Sequence, residues 1–426
     1  MDGSKPFSVG KIGYLPFVLS AASLLAAAAQ AQERTNASVV PRVADAVRPS
    51  VSTIGPLRRG ADGKIELAVP NTAHEESAAP SATVAAVTNN ELDGGHWVAA
   101  PNSRLEAIIY RGPEEHQLNG NTGPAAIMSA WSGAAFDSER HTLLVWGGGH
   151  GDYHGNAVYS FSIRSQSWSM LSRPSSIADW SGSTSTLPDG TPAVPHTYDA
   201  LAFVPAMNGL FVAGTPANHL NGNGGPSSWL FEIATRKWRE LALNKLLGGV
   251  GTIAAYNPAD QNVYVINSAI GLQRYNVASN SWSAIGHRPI SDYHLTGAID
   301  PEEGTLVATG AGFLNVVKLS TGEVTSPMAS GDMTVENGNA PGFVWDGTRH
   351  QFVGWNGGSM LYTLDPHSYR WAAHHAAPNS LVPTPPASNG TFGRFQFDAA
   401  EGKFLLVNGV DQDVFLYEPR SGERNR

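Results

Sequence analysis

Within five positions, His150, Asp152, Tyr153 and His154 place two imidazoles, a carboxylate and a phenol on one short loop. Such a set can move protons near neutral pH, because imidazole titrates at about 6.5 and a carboxylate can orient it. Similar residues recur downstream as His196, Tyr198 and Asp199, then His219 and Asn221, then Asp292, Tyr293 and His294. Asn339, Asn389 and Arg394 add amides and a guanidinium. The candidate catalytic residues are His150, His196, Tyr198, His294 and Arg394. Asp152, Tyr153, His154, His219, Asn221, Tyr293, Asn339 and Asn389 are the candidate ligand contacts. His150, Asp152 and His154 are the residues that would hold a divalent metal, since zinc and iron sites mix His with carboxylate. Loop spacing alone does not fix a coordination geometry, and no other cofactor is expected. Structural roles compete with these. Asp152 can cap loop backbone, and Tyr198 can pack at a strand start while Asp199 satisfies a neighbouring backbone group. Arg394 lies in an apolar strand, so it needs a buried carboxylate or an anionic ligand.

The elements that must position these residues are strands. Leu143-Leu144-Val145-Trp146 leads into Gly147-Gly148-Gly149, then the reactive loop, then the alternating Val158, Tyr159, Phe161, Ile163 run. That is strand, glycine loop, strand. The loop's polar residues have no evident role in a core.

An internal repeat extends the pattern. Six segments join an apolar strand, a tight polar turn and a second apolar strand. They begin at Ala134, Leu201, Ala254, Gly297, Phe343 and Phe395. Most continue into a glycine-bearing loop, a third strand and a tryptophan: Trp168, Trp238, Trp282 and Trp371. The fourth repeat lacks its tryptophan, and the sixth stops at Tyr417-Glu418-Pro419 without a closing strand. Gly94-Gly95-His96-Trp97-Val98-Ala99 has the shape of the missing strand. The expectation is an all-β protein: a six-bladed β-propeller closed by pairing of the strand near Trp97 with the last blade. A degenerate seventh blade between Arg104 and Ala125 is the alternative.

The glycine triplet, the Tyr159 and Phe161 pair and the Trp168 series resemble kelch-type propellers and the central domain of the galactose oxidase group. The resemblance covers residues 94–426 and implies a fold more than an activity. In that group the oxidase uses copper and a tyrosine crosslinked to cysteine. This chain has no cysteine, which excludes the copper-radical cofactor, disulfides and thiolate metal sites.

Propeller geometry sorts the loops by face. The turns after innermost strands are short, as at 138–140, 206–208 and 301–303. The long loops, 147–156, 173–195, 214–227 and 379–391, share the opposite face with the starts of the innermost strands. Long loops gathered on one face usually carry function, and the histidines gather there too. His141, His350 and His367 fall in short turns on the other face as ordinary surface residues, and the tryptophan series is inter-blade packing.

The formal charge of −9 argues against nucleic acid or an anionic membrane as partner. Residues 1–31 read as a signal peptide: Lys5 and Lys11, the apolar Tyr14 to Ala29, then Ala29-Gln30-Ala31. The apolar run falls short of the ~20 residues a membrane span needs. The mature protein is expected to be secreted or periplasmic, with residues 32–93 as a flexible Pro/Ala/Ser/Thr-rich linker and residues 94–426 as the propeller. The expected partner is an extracellular glycan or other small polar ligand. Recognition of a carbohydrate, most plausibly an acidic polysaccharide, is the first reading. A polysaccharide lyase working by β-elimination in the same pocket is the alternative, since that needs a base, an acid and a cation for the uronate carboxylate. Some propeller lyases, ulvan lyases among them, use His, Tyr and Arg, but no motif matches residue by residue. A protein-binding kelch module is the further alternative. No carboxylate pair for glycoside hydrolysis and no Gly-x-Ser-x-Gly elbow stands out.

Overall fold

The computed structural model describes residues 57–59, 65–67, 91–215 and 224–420. The expected signal segment, His219 and Asn221 lie outside the described residues. The chain divides into two compact units, Met1–Ala85 and Ala86–Arg426. In the first, Leu57–Arg59 pairs antiparallel with Ile65–Leu67.

The second unit is a six-bladed β-propeller. The innermost strands of its antiparallel sheets are Ala135–Asp137, Leu201–Val204, Ile253–Asn257, Thr296–Asp300, Gly342–Asp346 and Phe395–Asp398. Blade 6 is completed by His96–Ala99, which pairs with Phe415–Glu418 in the register Tyr417 to Trp97. Trp97 is buried there, edge-on to Tyr417 at 5.1 Å, and its indole N–H donates to the Ser359 carbonyl. The seventh blade does not form. Residues 104–129 make short helical turns instead, and Leu105, Ile109, Leu118 and Met128 pack on blades 1 and 6.

The repeat has a physical cause in its turns. Asp137, Asp300, Asp346 and Asp398 end their strands fully buried, and each accepts the backbone N–H groups two and three residues on. Asn257 does the same for Ala259. Four residues after each strand end the chain takes positive φ, at His141, Asn208, Gln261, Gly304, His350 and Gly402. This Asx-type turn makes the tight reversal that the sequence repeats. It also corrects the expectation for His141, which is mostly buried, with its Nδ1 3.0 Å from the Asp398 carboxylate across the seam between blades 6 and 1.

A second repeated position lies six residues before each strand end: Trp131, Tyr198, Gly251, His294, Ala340 and Phe392. All but His294 have φ between 44° and 68°. Backbone bonds link them around the axis, from Tyr198 N–H to Trp131 O, Ala340 N–H to His294 O, and Phe392 N–H to Ala340 O. With Tyr198, Ala340 and Phe392 buried together, this ring closes the central channel on the long-loop face. The channel opens only toward the short turns, past Ser138, Pro205, Pro258 and Pro301, as a cavity of about 360 Å³.

Candidate functional site

Because the axis is closed on the long-loop face, His150 and His196 meet beside the axis, between blades 1 and 2, while His294 stands at the start of blade 4. The glycine loop of blade 1 is braced from two sides. Gly149 N–H donates to the Pro195 carbonyl, and Tyr153 N–H donates back to Gly148. Residues 119–123 run alongside, with Asn121 N–H donating to Gly151 O, and Thr122 and Gly123 N–H to Asp152 O. These contacts fix the Asp152 side chain. One of its oxygens accepts the Thr122 hydroxyl at 2.9 Å, and the other lies 3.1 Å from His196 Nε2.

His196 stands between two rings. The His150 ring is centred 4.6 Å from it and the Trp131 indole 4.9 Å. Tyr198 meets it edge-on at 6.1 Å. Beyond Tyr198 follow Tyr293 at 6.5 Å and then His294, whose ring is centred 3.7 Å from that of Tyr293. His294 Nδ1 lies 3.1 Å from Asp292. On the outer side, His154 meets Trp180 edge-on at 5.8 Å.

Electrostatics separate the roles of these groups. Burial lowers the His150 pKa and the neighbouring His196 lowers it further, against an opposing pull from Asp152. His150 is therefore a neutral imidazole at neutral pH. Burial pushes the Asp152 carboxyl up, but the hydrogen bonds from His196 and Thr122, with the two imidazoles nearby, hold it below the usual carboxylate range. Burial also lowers His154. The result is an ionised carboxylate, an imidazole oriented by it, and a neutral imidazole tilted against that ring. Such a group can accept a proton or bind hydroxyls.

Several expected residues are placed elsewhere. Arg394 is fully buried and meets neither a carboxylate nor the mouth. Its guanidinium donates to the Ser132, Val407 and Gly390 carbonyls, and burial alone brings its pKa down to about 9. A strand-start arginine can satisfy itself on backbone carbonyls, a third option beside the two expected. Tyr153 is 1% exposed in the core of blade 1, with its phenol pushed up to about 12 by burial, so it is a packing residue. Tyr198 is buried in the aromatic plug, against Phe392 and Tyr293. Asn389 donates to Ser129 O and Asn339 to Ser388 O, so both amides tie down loops. His150, Asp152 and His154 do not converge as metal ligands. Among the described residues, the cluster whose ligand atoms lie within 4.8 Å of one another is His141, Asp398 and Glu401 on the other face.

Trp131, Thr122 and Trp180 were not singled out from sequence. Trp131 has a recoverable signal, because it stands six residues before Asp137 as Tyr198 stands before Val204. Thr122 also lines a groove of about 490 Å³ with Ile109, Arg111, Met128, Asn408 and Gln412, so this groove starts where the Asp152 contact ends.

No protein-family model matches the chain, and no curated protein does. Among solved structures, it is similar to a structural-genomics protein of unknown function from Bacteroides thetaiotaomicron, at 12% identity, 76% coverage of each chain and a TM-score of 0.48. That similarity carries no argument about function. Among the described residues, no helix is long and apolar enough to cross a membrane.

Proposed function

We propose that this protein recognises an extracellular carbohydrate on the long-loop face, with Trp131, His150, Asp152 and His196 as the central contacts. The observation that carries this is the packing of His196 between an indole and an imidazole while Asp152 holds its Nε2. Aromatic faces beside fixed donors and acceptors suit a sugar ring, which has apolar C–H faces and hydroxyl edges. The adjoining groove beyond Thr122 gives room for further sugar units. Export through residues 1–31 would place such a module outside the cell.

The preferred ligand is neutral or only weakly acidic. Arg394, expected to meet a uronate carboxylate, is spent on backbone carbonyls. Arg111, in the groove, is paired with Glu115. A lyase is the second reading, favoured by the neutral His150 beside a carboxylate-oriented His196. Titration of neutral and uronate-containing oligosaccharides into the protein tests both. Saturable binding that is lost in His196→Ala supports recognition, and growth of ultraviolet absorbance from an unsaturated product supports elimination. Failure to bind any member of the panel overturns both readings.

A further inference from the structure

The central channel is separate from the histidine cluster and faces the other way. Its walls are the innermost strands, mainly small or apolar residues such as Ala135, Ala255, Ile299 and Val344. Phe136, Tyr256 and Trp345 supply aromatic rings to the same walls. At its blind end is the Asp199 side chain. One carboxylate oxygen accepts the Gly297 N–H at 2.9 Å, and the Gly393 N–H also bonds this group, so Asp199 spans the axis from blade 2 to blades 4 and 6. Among the described residues, no cationic side chain lines the channel, and Tyr256 is the only other titratable group along it. A carboxyl so deeply buried would ordinarily be paired with a cation.

We propose that the channel is a second binding site, for a small organic ammonium ion whose charge meets Asp199 and whose apolar body fills the space between the innermost strands. Three features fit this ligand class. The blind end supplies one carboxyl group and two N–H dipoles, with no cationic side chain to stabilise its ionised form. Aromatic residues on the walls suit the passage of an organic cation. A volume of about 360 Å³ accepts a benzylammonium-sized body but not a polysaccharide chain. An anion would find no cationic partner among the channel's described lining residues. The empty channel holds this carboxyl protonated up to about 8, because burial outweighs the two N–H bonds. An entering ammonium favours the ionised form, so at neutral pH binding should expel a proton.

Isothermal titration of the full chain with benzylammonium, in two buffers of different ionisation heat, tests this, with benzyl alcohol as the neutral isostere. The expected result is saturable benzylammonium binding with net proton release near pH 7, and binding of benzyl alcohol at least tenfold weaker. Asp199→Asn should lose the ammonium preference. Because that substitution could unsettle the ring, proton release by the unaltered protein is the deciding measurement. Equal affinity for the two ligands, binding without proton release, or no saturable heat at millimolar ligand would overturn the proposal. None of these outcomes bears on sugar binding at the opposite face.

Discussion

Gly149 leaves the space that His196 fills. A Cβ at position 149 would stand 2.7 Å from His196 Nε2 and the same distance from the Asp152 oxygen that contacts it. The residue also holds φ at 77°, where a side chain adds strain of about 1–2 kcal/mol. Gly149→Ala is therefore expected to separate Asp152 from His196 and weaken sugar binding at least tenfold, while circular dichroism still reports a folded propeller. Unchanged affinity would show that the pair does not contact the ligand.

Asp152 acts on the His150 titration. Its charge pulls the His150 pKa upward against burial and His196. In Asp152→Asn, His150 should titrate at still lower pH, as followed by NMR of its ring protons. A His150 titration that stays put or moves upward would remove Asp152 from the site's electrostatics.

Arg394→Ala should destabilise the fold without touching the ligand. Three buried carbonyls lose their donor, at about 1–3 kcal/mol each, partly offset by removing a buried charge. Urea melts should show a net loss of several kcal/mol, with sugar affinity of the folded fraction unchanged. Lost affinity with full stability would restore Arg394 to the site.

Asp199 should give the fold a pH dependence of definite sign. In the unfolded chain this carboxyl ionises near 4, whereas in the native channel it keeps its proton up to about 8. Across that window the native state binds the extra proton, so this group's contribution to stability falls as pH rises. Asp199→Asn removes the slope. The variant should gain on the unaltered protein between about pH 5 and 8 in paired urea melts. A parallel pair of curves would mean the carboxyl is already ionised.

Trp97→Ala tests closure of the ring. Trp97 is 1% exposed and joins Tyr417 and Ser359. Its truncation should cost about 3–5 kcal/mol. A loss below about 1 kcal/mol would show that the last sheet holds without it.

The blades were legible in sequence because each inner strand ends in a residue that builds its own turn. Asp137, Asp300, Asp346 and Asp398 are local signals, read from neighbours two and three positions away. The closing strand was legible for a related reason: a sheet lacking its fourth strand and a lone strand of matching shape imply each other. The plug was not legible, since Tyr198, Ala340 and Phe392 meet only after the ring has formed. Nor was the role of Thr122, which reaches Asp152 from a segment without a repeat signature. Arg394 misled because an apolar strand with one guanidinium looks the same whether its partner is a ligand or three carbonyls.

The pairing of Tyr417 with Trp97 has a consequence for the order of events during synthesis. The strand at residues 96–99 leaves the ribosome more than three hundred residues before its partner at 415–418. Until then blade 6 has only its two inner strands, and the strand at 96–99 has no sheet to join. A nascent chain therefore remains an open arc until residues 415–418 emerge and convert it into a circle. Truncations that remove residues 415–418 should thus yield aggregation-prone chains, out of proportion to the few contacts they delete.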